Sequence, residues 1–114
     1  MSLAAEKLLA PSTSKDEILA YLKELKPALQ KDGIIELGLF GSYANDYATI
    51  SSDIDIVFNA SDEFHKKFTS YDYFVYVADI RERLEKRFNL AVDIIDAKYI
   101  KDEKDKFFKG TVYV

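Results

Sequence analysis

The chain of 114 residues has no cysteine and no tryptophan, only one histidine, two prolines and four glycines. Without cysteine, neither a disulfide nor a thiolate metal site can form. No apolar run approaches the roughly 18 residues needed to cross a membrane, and the N-terminus lacks the charged-then-apolar profile of a signal peptide. A reduced, cytoplasmic setting is expected. Blocks of one charge are also missing. Twenty acidic and sixteen basic residues give a net charge of -4, so the basic field that nucleic-acid binders use against phosphates is absent and broad nucleic-acid binding is excluded. A small phosphate ligand arriving with a divalent metal is still compatible. No Gly-Lys-Ser/Thr follows a glycine-rich loop, so there is no Walker site.

What is present fits one compact domain, with 48% hydrophobic residues. Residues 1–13 are expected to be a loose lead-in, and 14–114 a single domain. Ser14 and Glu17 have capping-box spacing at a helix start, and Ile18, Leu22 and Leu25 continue it at helical period. Pro27 predicts a break and a short second helix running to about Lys31, ended by Gly33. Ile34 to Phe40 reads as a buried strand, Ile54 to Phe58 as a second and Ala91 to Ile95 as a third. Residues 59–69 read as a polar loop or poorly defined helix. From Ser70, Phe74, Val77, Ile80, Leu84 and Phe88 predict one long amphipathic helix with these residues inward, stopped at Asn89. Residues 98–109 are charged and predicted helical, with a short closing strand in 111–114. Strands alternating with helices predict an α/β (α+β) class, with a small mixed β-sheet and helices mainly on one face.

Asp53-Ile54-Asp55-Ile56 alternates at strand period, so both carboxylates share one face while the isoleucines enter the core. At about 5 Å their repulsion is of order 1 to 3 kcal/mol. No Lys or Arg is adjacent in sequence, which favours relief by a divalent metal such as Mg²⁺, an ion that prefers oxygen ligands and substrate phosphates. Asp93 stands among Val92, Ile94 and Ile95. If the second and third strands pair, it joins the other two acids, and three carboxylates suffice for a two-metal site acting at phosphorus. Asp96, by alternation, points elsewhere and is expected to cap the next helix. Phe40-Gly41-Ser42 follows a strand, where glycine permits close backbone approach and Ser42 either caps a short helix or meets a phosphate. His65, beside two lysines, is expected to be solvated. Tyr71, Tyr73 and Tyr76 suit either core packing or a partner surface.

Ser42 is followed by ten residues and then Asp53-x-Asp55. Together with Leu37-Gly38-Leu39-Phe40-Gly41-Ser42-Tyr43-Ala44 and Val92-Asp93-Ile94-Ile95, this resembles the minimal nucleotidyltransferase (MNT) domains of the DNA polymerase beta-like nucleotidyltransferase superfamily. The resemblance implies that Gly41 and Ser42 bind nucleotide phosphates. It implies that Asp53, Asp55 and Asp93 are catalytic and hold two Mg²⁺ ions, with Mn²⁺ as a substitute, and that Asp93 lies near the attacking hydroxyl. It implies transfer of a nucleoside monophosphate, most often AMP from ATP, to a hydroxyl acceptor, with a HEPN-domain toxin as partner. Self-association is left open. Typical members carry Arg-Gly after the Gly-Ser-x-Ala run, whereas Asn45 and Asp46 stand here. That departure keeps a second expectation alive: an antitoxin-type binding module that neutralises its partner without chemistry.

Overall fold

The computed structural model describes residues 11–100 and 109–114. Its first element, α1, is a single helix over Lys15–Asp32. The Ser14 hydroxyl caps it by accepting from the Glu17 N–H at 3.2 Å. The Glu17 carboxylate turns instead to the Thr13 hydroxyl, 3.0 Å away, so the capping box is closed on one side only. The break expected at Pro27 does not occur, because Pro27 lies inside α1. It sits on the exposed side of the helix together with Lys23. There, water can satisfy the Lys23 carbonyl that loses its amide partner. Gly33 ends α1 in the left-handed region at φ 112°.

The strands β1 (Ile34–Phe40), β2 (Ile54–Ala60), β3 (Val92–Asp96) and β4 (Val112–Tyr113) form one mixed sheet in the order β3-β2-β1-β4. β1 runs antiparallel to β2 and β4, while β2 and β3 are parallel. Between β1 and β2 lies the one-turn helix α2, Gly41–Ala44, and between β2 and β3 lie α3, Asp62–Lys67, and the long α4, Ser70–Phe88. The polar 59–69 stretch therefore divides into the end of a strand and a real short helix, which Ser61 caps by accepting from the Phe64 N–H. A 3-10 turn spans Ala97–Tyr99. The remainder of the charged segment expected to be helical, 101–108, lies outside the described residues, and Lys109 and Gly110 form a turn.

Alternation along the strands sorts the side chains into two faces. Leu37, Leu39, Ile54, Ile56, Phe58 and Val92 join Ile18 and Leu22 of α1 and Ile80, Leu84 and Phe88 of α4 in the main core. The helices thus cover mainly one face, as the apolar pattern demands. On the opposite face a small cluster of Phe40, Val57, Ala97 and Ile95 flanks the acids. The inward stripe of α4 differs from the expected one at its start. Phe74 is 67% exposed, while Tyr73, Tyr76 and Val77 pack against the core. A start at Tyr73 keeps the same 3–4 spacing into Ile80 as a start at Phe74, so periodicity alone does not choose between them. The polar tips decide: the Tyr73 and Tyr76 hydroxyls donate to Asp96 and Asp32, which Phe74 could not do. Tyr71 stays in solvent.

Candidate active site

β2 and β3 pair in parallel register with Asp55 opposite Asp93. In-register neighbours on adjacent strands are roughly 4.8 Å apart and share a face. The buried Ile54 and Ile56 hold the backbone so that Asp55 must point to the other face. Asp53 immediately precedes β2 and is exposed, as is Asp93, while Asp55 is half-buried. Burial pushes the Asp55 carboxyl above its ordinary value, and the nearby charges of Asp93 and Asp53 push it further the same way. Among the described residues none of the three acids forms an ion pair.

A hard divalent cation fits this donor set by chemistry: three carboxylates on one face, with no cation paired to them among the described residues. Among the described residues no three acidic or histidine side chains already converge on one point as a ready-made cage. The strands bring the carboxylates to one face, and closing on an ion would take rotation of the exposed Asp53 and Asp93 side chains.

Gly41 abuts this group. Its φ is +74°, and a Cβ placed on it would lie 2.2 Å from Asp55 Oδ2. The glycine in the turn is thus required by its own protein before any ligand is considered: it leaves room for the Asp55 carboxylate. Ser42 lies within α2, whose N-cap is Phe40, so Ser42 does not cap that helix. Among the described residues its hydroxyl has no partner.

Asn45 and Asp46 have local structural roles. Asp46 adopts the left-handed conformation at φ 64°, and its carboxylate lies 3.7 Å from Lys15 Nζ in an exposed pair of small energetic weight. The Asn45 side-chain amide donates to the Gly41 carbonyl at 2.9 Å and to the Lys109 carbonyl at 3.4 Å. Gly110 is pressed against the Asn45 amide, where a Cβ would come within 2.0 Å of Oδ1. The chain ahead of β4 is thereby tied to the glycine turn. Sequence reasoning missed this tether, and the only local signal was Gly110 placed just before a strand.

His65 is a further correction. Its side chain is 9% exposed rather than solvated, and that of Asp96 is 3% exposed. The imidazole Nε2 is 2.7 Å from Asp96 Oδ2 and Nδ1 is 3.1 Å from the Ser61 carbonyl. Both ring nitrogens thus have partners within the protein. Asp96 also accepts from the Tyr73 hydroxyl at 2.8 Å and, as expected of a cap, from the Lys98 N–H at 3.0 Å. This network lies on the helical side of the sheet, and desolvation followed by the Asp96 hydrogen bond raises the Tyr73 hydroxyl well above its ordinary value. It fixes the end of β3 and, through it, the position of Asp93. A separate groove between α1 and α4, lined by Leu25, Leu29, Tyr76 and Ile80, is also on that side, across the sheet from the acids.

Comparison with known proteins gives the arrangement a context. The nucleotidyltransferase domain family matches residues 16–114. A protein from Methanocaldococcus jannaschii named as a protein adenylyltransferase is 35% identical over 85 residues, covering 74% of this chain and 79% of that protein. Among solved structures, a mutant of the toxin–antitoxin pair MntA–HpeT superposes with a TM-score of 0.59 at 17% identity, covering 89% of this chain and 72% of that one. A toxin–antitoxin structure with AMP-PNP superposes with a TM-score of 0.51 at 22% identity, covering 76% and 60%. At those identities the two structures show a shared fold.

Proposed function

The chain belongs to the nucleotidyltransferase domain family, and from that premise we propose that it transfers AMP from ATP to a hydroxyl group on a partner protein, using Asp53, Asp55 and Asp93. The observation that carries this is the in-register pairing of Asp55 with Asp93, beside a glycine whose missing Cβ makes room for the Asp55 carboxylate. The cofactor is Mg²⁺, replaceable by Mn²⁺, in a two-ion site held by the three aspartates. It supplies Lewis acidity to the phosphates and lowers the cost of placing them among carboxylates. The polyphosphate lies along Gly41 and Ser42, where the Ser42 hydroxyl is available to donate.

Each residue then has a defined task. Asp93, on the exposed edge strand, accepts the proton of the acceptor hydroxyl. The hydroxyl oxygen forms a bond to the α-phosphorus as the bond from that phosphorus to the bridging oxygen of the β-phosphate breaks, and pyrophosphate leaves. Asp53 and Asp55 would hold the metal ions through which the phosphates are oriented. Support for a protein acceptor comes from the adenylyltransferase relative and from the toxin–antitoxin structures that share the fold. A HEPN-domain toxin is the partner we propose, in the cytoplasm.

Incubation with α-labelled ATP, Mg²⁺ and the product of the neighbouring gene tests this. Label should pass to the partner, and Asp53→Asn should abolish transfer while leaving the fold intact. A tight complex that forms without transfer, in native protein and Asp53→Asn alike, would replace catalysis with neutralisation by binding. The specific observation on that side is the acidic, solvent-exposed Asp46 beside the glycine turn.

A further inference from the structure

The site as described is acidic throughout: Asp53, Asp55 and Asp93, with Asp46 close to the turn. A polyphosphate lying along Gly41 and Ser42 brings several more negative charges, and its outer phosphates, which depart, extend away from the three aspartates. A side-chain cation there would be expected on electrostatic grounds. Neither the glycine turn nor the loop from Asn45 to Ser52 contains a Lys or Arg.

Several cations within the described residues already have partners. Lys15 faces Asp46. Lys26 donates to the Val114 carbonyl on the far side of β4. Lys98 lies over the Tyr99 ring at 5.8 Å. Lys109 is exposed, and no acid pairs with it among the described residues. Its backbone is held where a cation is wanted. β1 and β4 pair Gly38 with Tyr113 and Leu39 with Val112. This pairing brings the turn of Lys109 and Gly110, just before β4, to the end of β1 where the glycine turn begins. The Asn45 side chain joins the two turns, since one amide group donates to both the Gly41 and Lys109 carbonyls. The close contact at Gly110 leaves no room for a side chain between Asn45 and the backbone of this turn.

We propose that Lys109 is a phosphate-binding residue of this site, delivered from the far end of the chain by the Asn45 tether, and that it engages the β- and γ-phosphates of the incoming nucleotide. The four-carbon stem of lysine spans the gap between adjacent chain segments and gives a mobile point charge, suited to a group that must let pyrophosphate go. Asn45 is then a positioning residue: it holds the turn and touches no phosphate. This inference rests on the nucleotidyltransferase function proposed above.

The test is nucleotide affinity measured by calorimetry with Mg²⁺ and a non-hydrolysable ATP analogue, with AMP as the second ligand. Loss of one charged hydrogen bond predicts that Lys109→Gln weakens the ATP analogue about tenfold and leaves AMP nearly unchanged. Lys109→Arg should retain most of the affinity, and Asn45→Ala should mimic Lys109→Gln in part. Lys109→Gln lies on an exposed turn and should melt with the native protein. Equal affinity of native protein and Lys109→Gln for the ATP analogue, with Asp53→Asn still impaired, overturns the role of Lys109 and leaves the proposed function standing. Equal weakening of AMP and ATP analogue also overturns it, because a phosphate contact must discriminate. Absence of nucleotide binding by the native protein overturns both.

Discussion

Replacement of Gly41 by alanine separates the stability of the fold from the competence of the site. Two costs arise. An L-residue at φ +74° pays the left-handed penalty of roughly 1–2 kcal/mol. The new Cβ would lie 2.2 Å from Asp55 Oδ2 and 3.1 Å from its Cγ, so the carboxylate must rotate, at about 0.5–1.5 kcal/mol for a displaced rotamer. Together these give about 1.5–3.5 kcal/mol, or a fall in melting temperature of about 6–14 °C for a domain of this size. The consequence for function is larger, because the displaced group is the central carboxylate of the three. Gly33→Ala is the control. Gly33 has φ +112° and its Cβ would meet Phe64 Cβ at 2.8 Å and Ser61 Oγ at 2.9 Å, a comparable strain remote from the acids. Thermal melts and calorimetry with Mg²⁺ and an ATP analogue distinguish the two. Both variants should melt lower, and only Gly41→Ala should lose nucleotide binding at a temperature where both are folded. A Gly41→Ala protein that melts within about 2 °C of native and binds nucleotide with native affinity would refute the argument.

Asp93→Ala should abolish label transfer yet leave the melting temperature close to native, since the side chain is exposed; unfolding of the variant would make Asp93 structural. Asp96→Ala should have the converse effect. It leaves the Tyr73 hydroxyl and the His65 ring without their partner, and each buried polar group left unsatisfied costs about 1–3 kcal/mol; a loss under about 1 kcal/mol in urea denaturation would disprove that role. Asp55→Asn concerns pH. The folded chain raises the Asp55 carboxyl through burial, Asp93 and Asp53, so its contribution to stability is fully present below the unfolded value near about 4 and is lost as pH rises through the raised folded value. In metal-free protein at neutral pH Asp55→Asn should therefore melt above native, with the difference closing in acid. A variant that melts lower at neutral pH would contradict this.

Much of this molecule was legible as a string. Ile34 to Phe40 and Ile54 onward are strands because their apolar residues are short runs bounded by glycine or acid, and the isoleucines on either side of Asp55 force it out of the core whatever its partner is. The stops at Gly33 and Asn89 follow from backbone conformations that few other residues accept. The family was recognisable because three short motifs had to occur in order at set separations. Pro27 and Phe74 were misjudged for a common reason. Local preference ranks alternatives separated by about a kilocalorie or a few, and packing of Leu22 and Leu29 on one side of the proline, or of the Tyr73 hydroxyl on Asp96, outweighs such differences.

Other features depended on chain segments far apart in sequence. Parallel register sets Asp93 beside Asp55, and no local rule specifies which residue of one strand meets which of another. His65 looked solvated because its neighbours in sequence are lysines, while its actual neighbours, Asp96 and Tyr73, come from 31 residues away and from the next helix. Composition and alternation determined that this chain would build a half-covered sheet bearing three acids, since burial of apolar surface depends on period alone. Which side chains stand together at the glycine turn, Asp55 from within and Asn45 and the backbone of Lys109 from the edge, was decided only by tertiary structure, because hydrogen bonds and charges act over a few ångströms of space and take no account of distance along the chain.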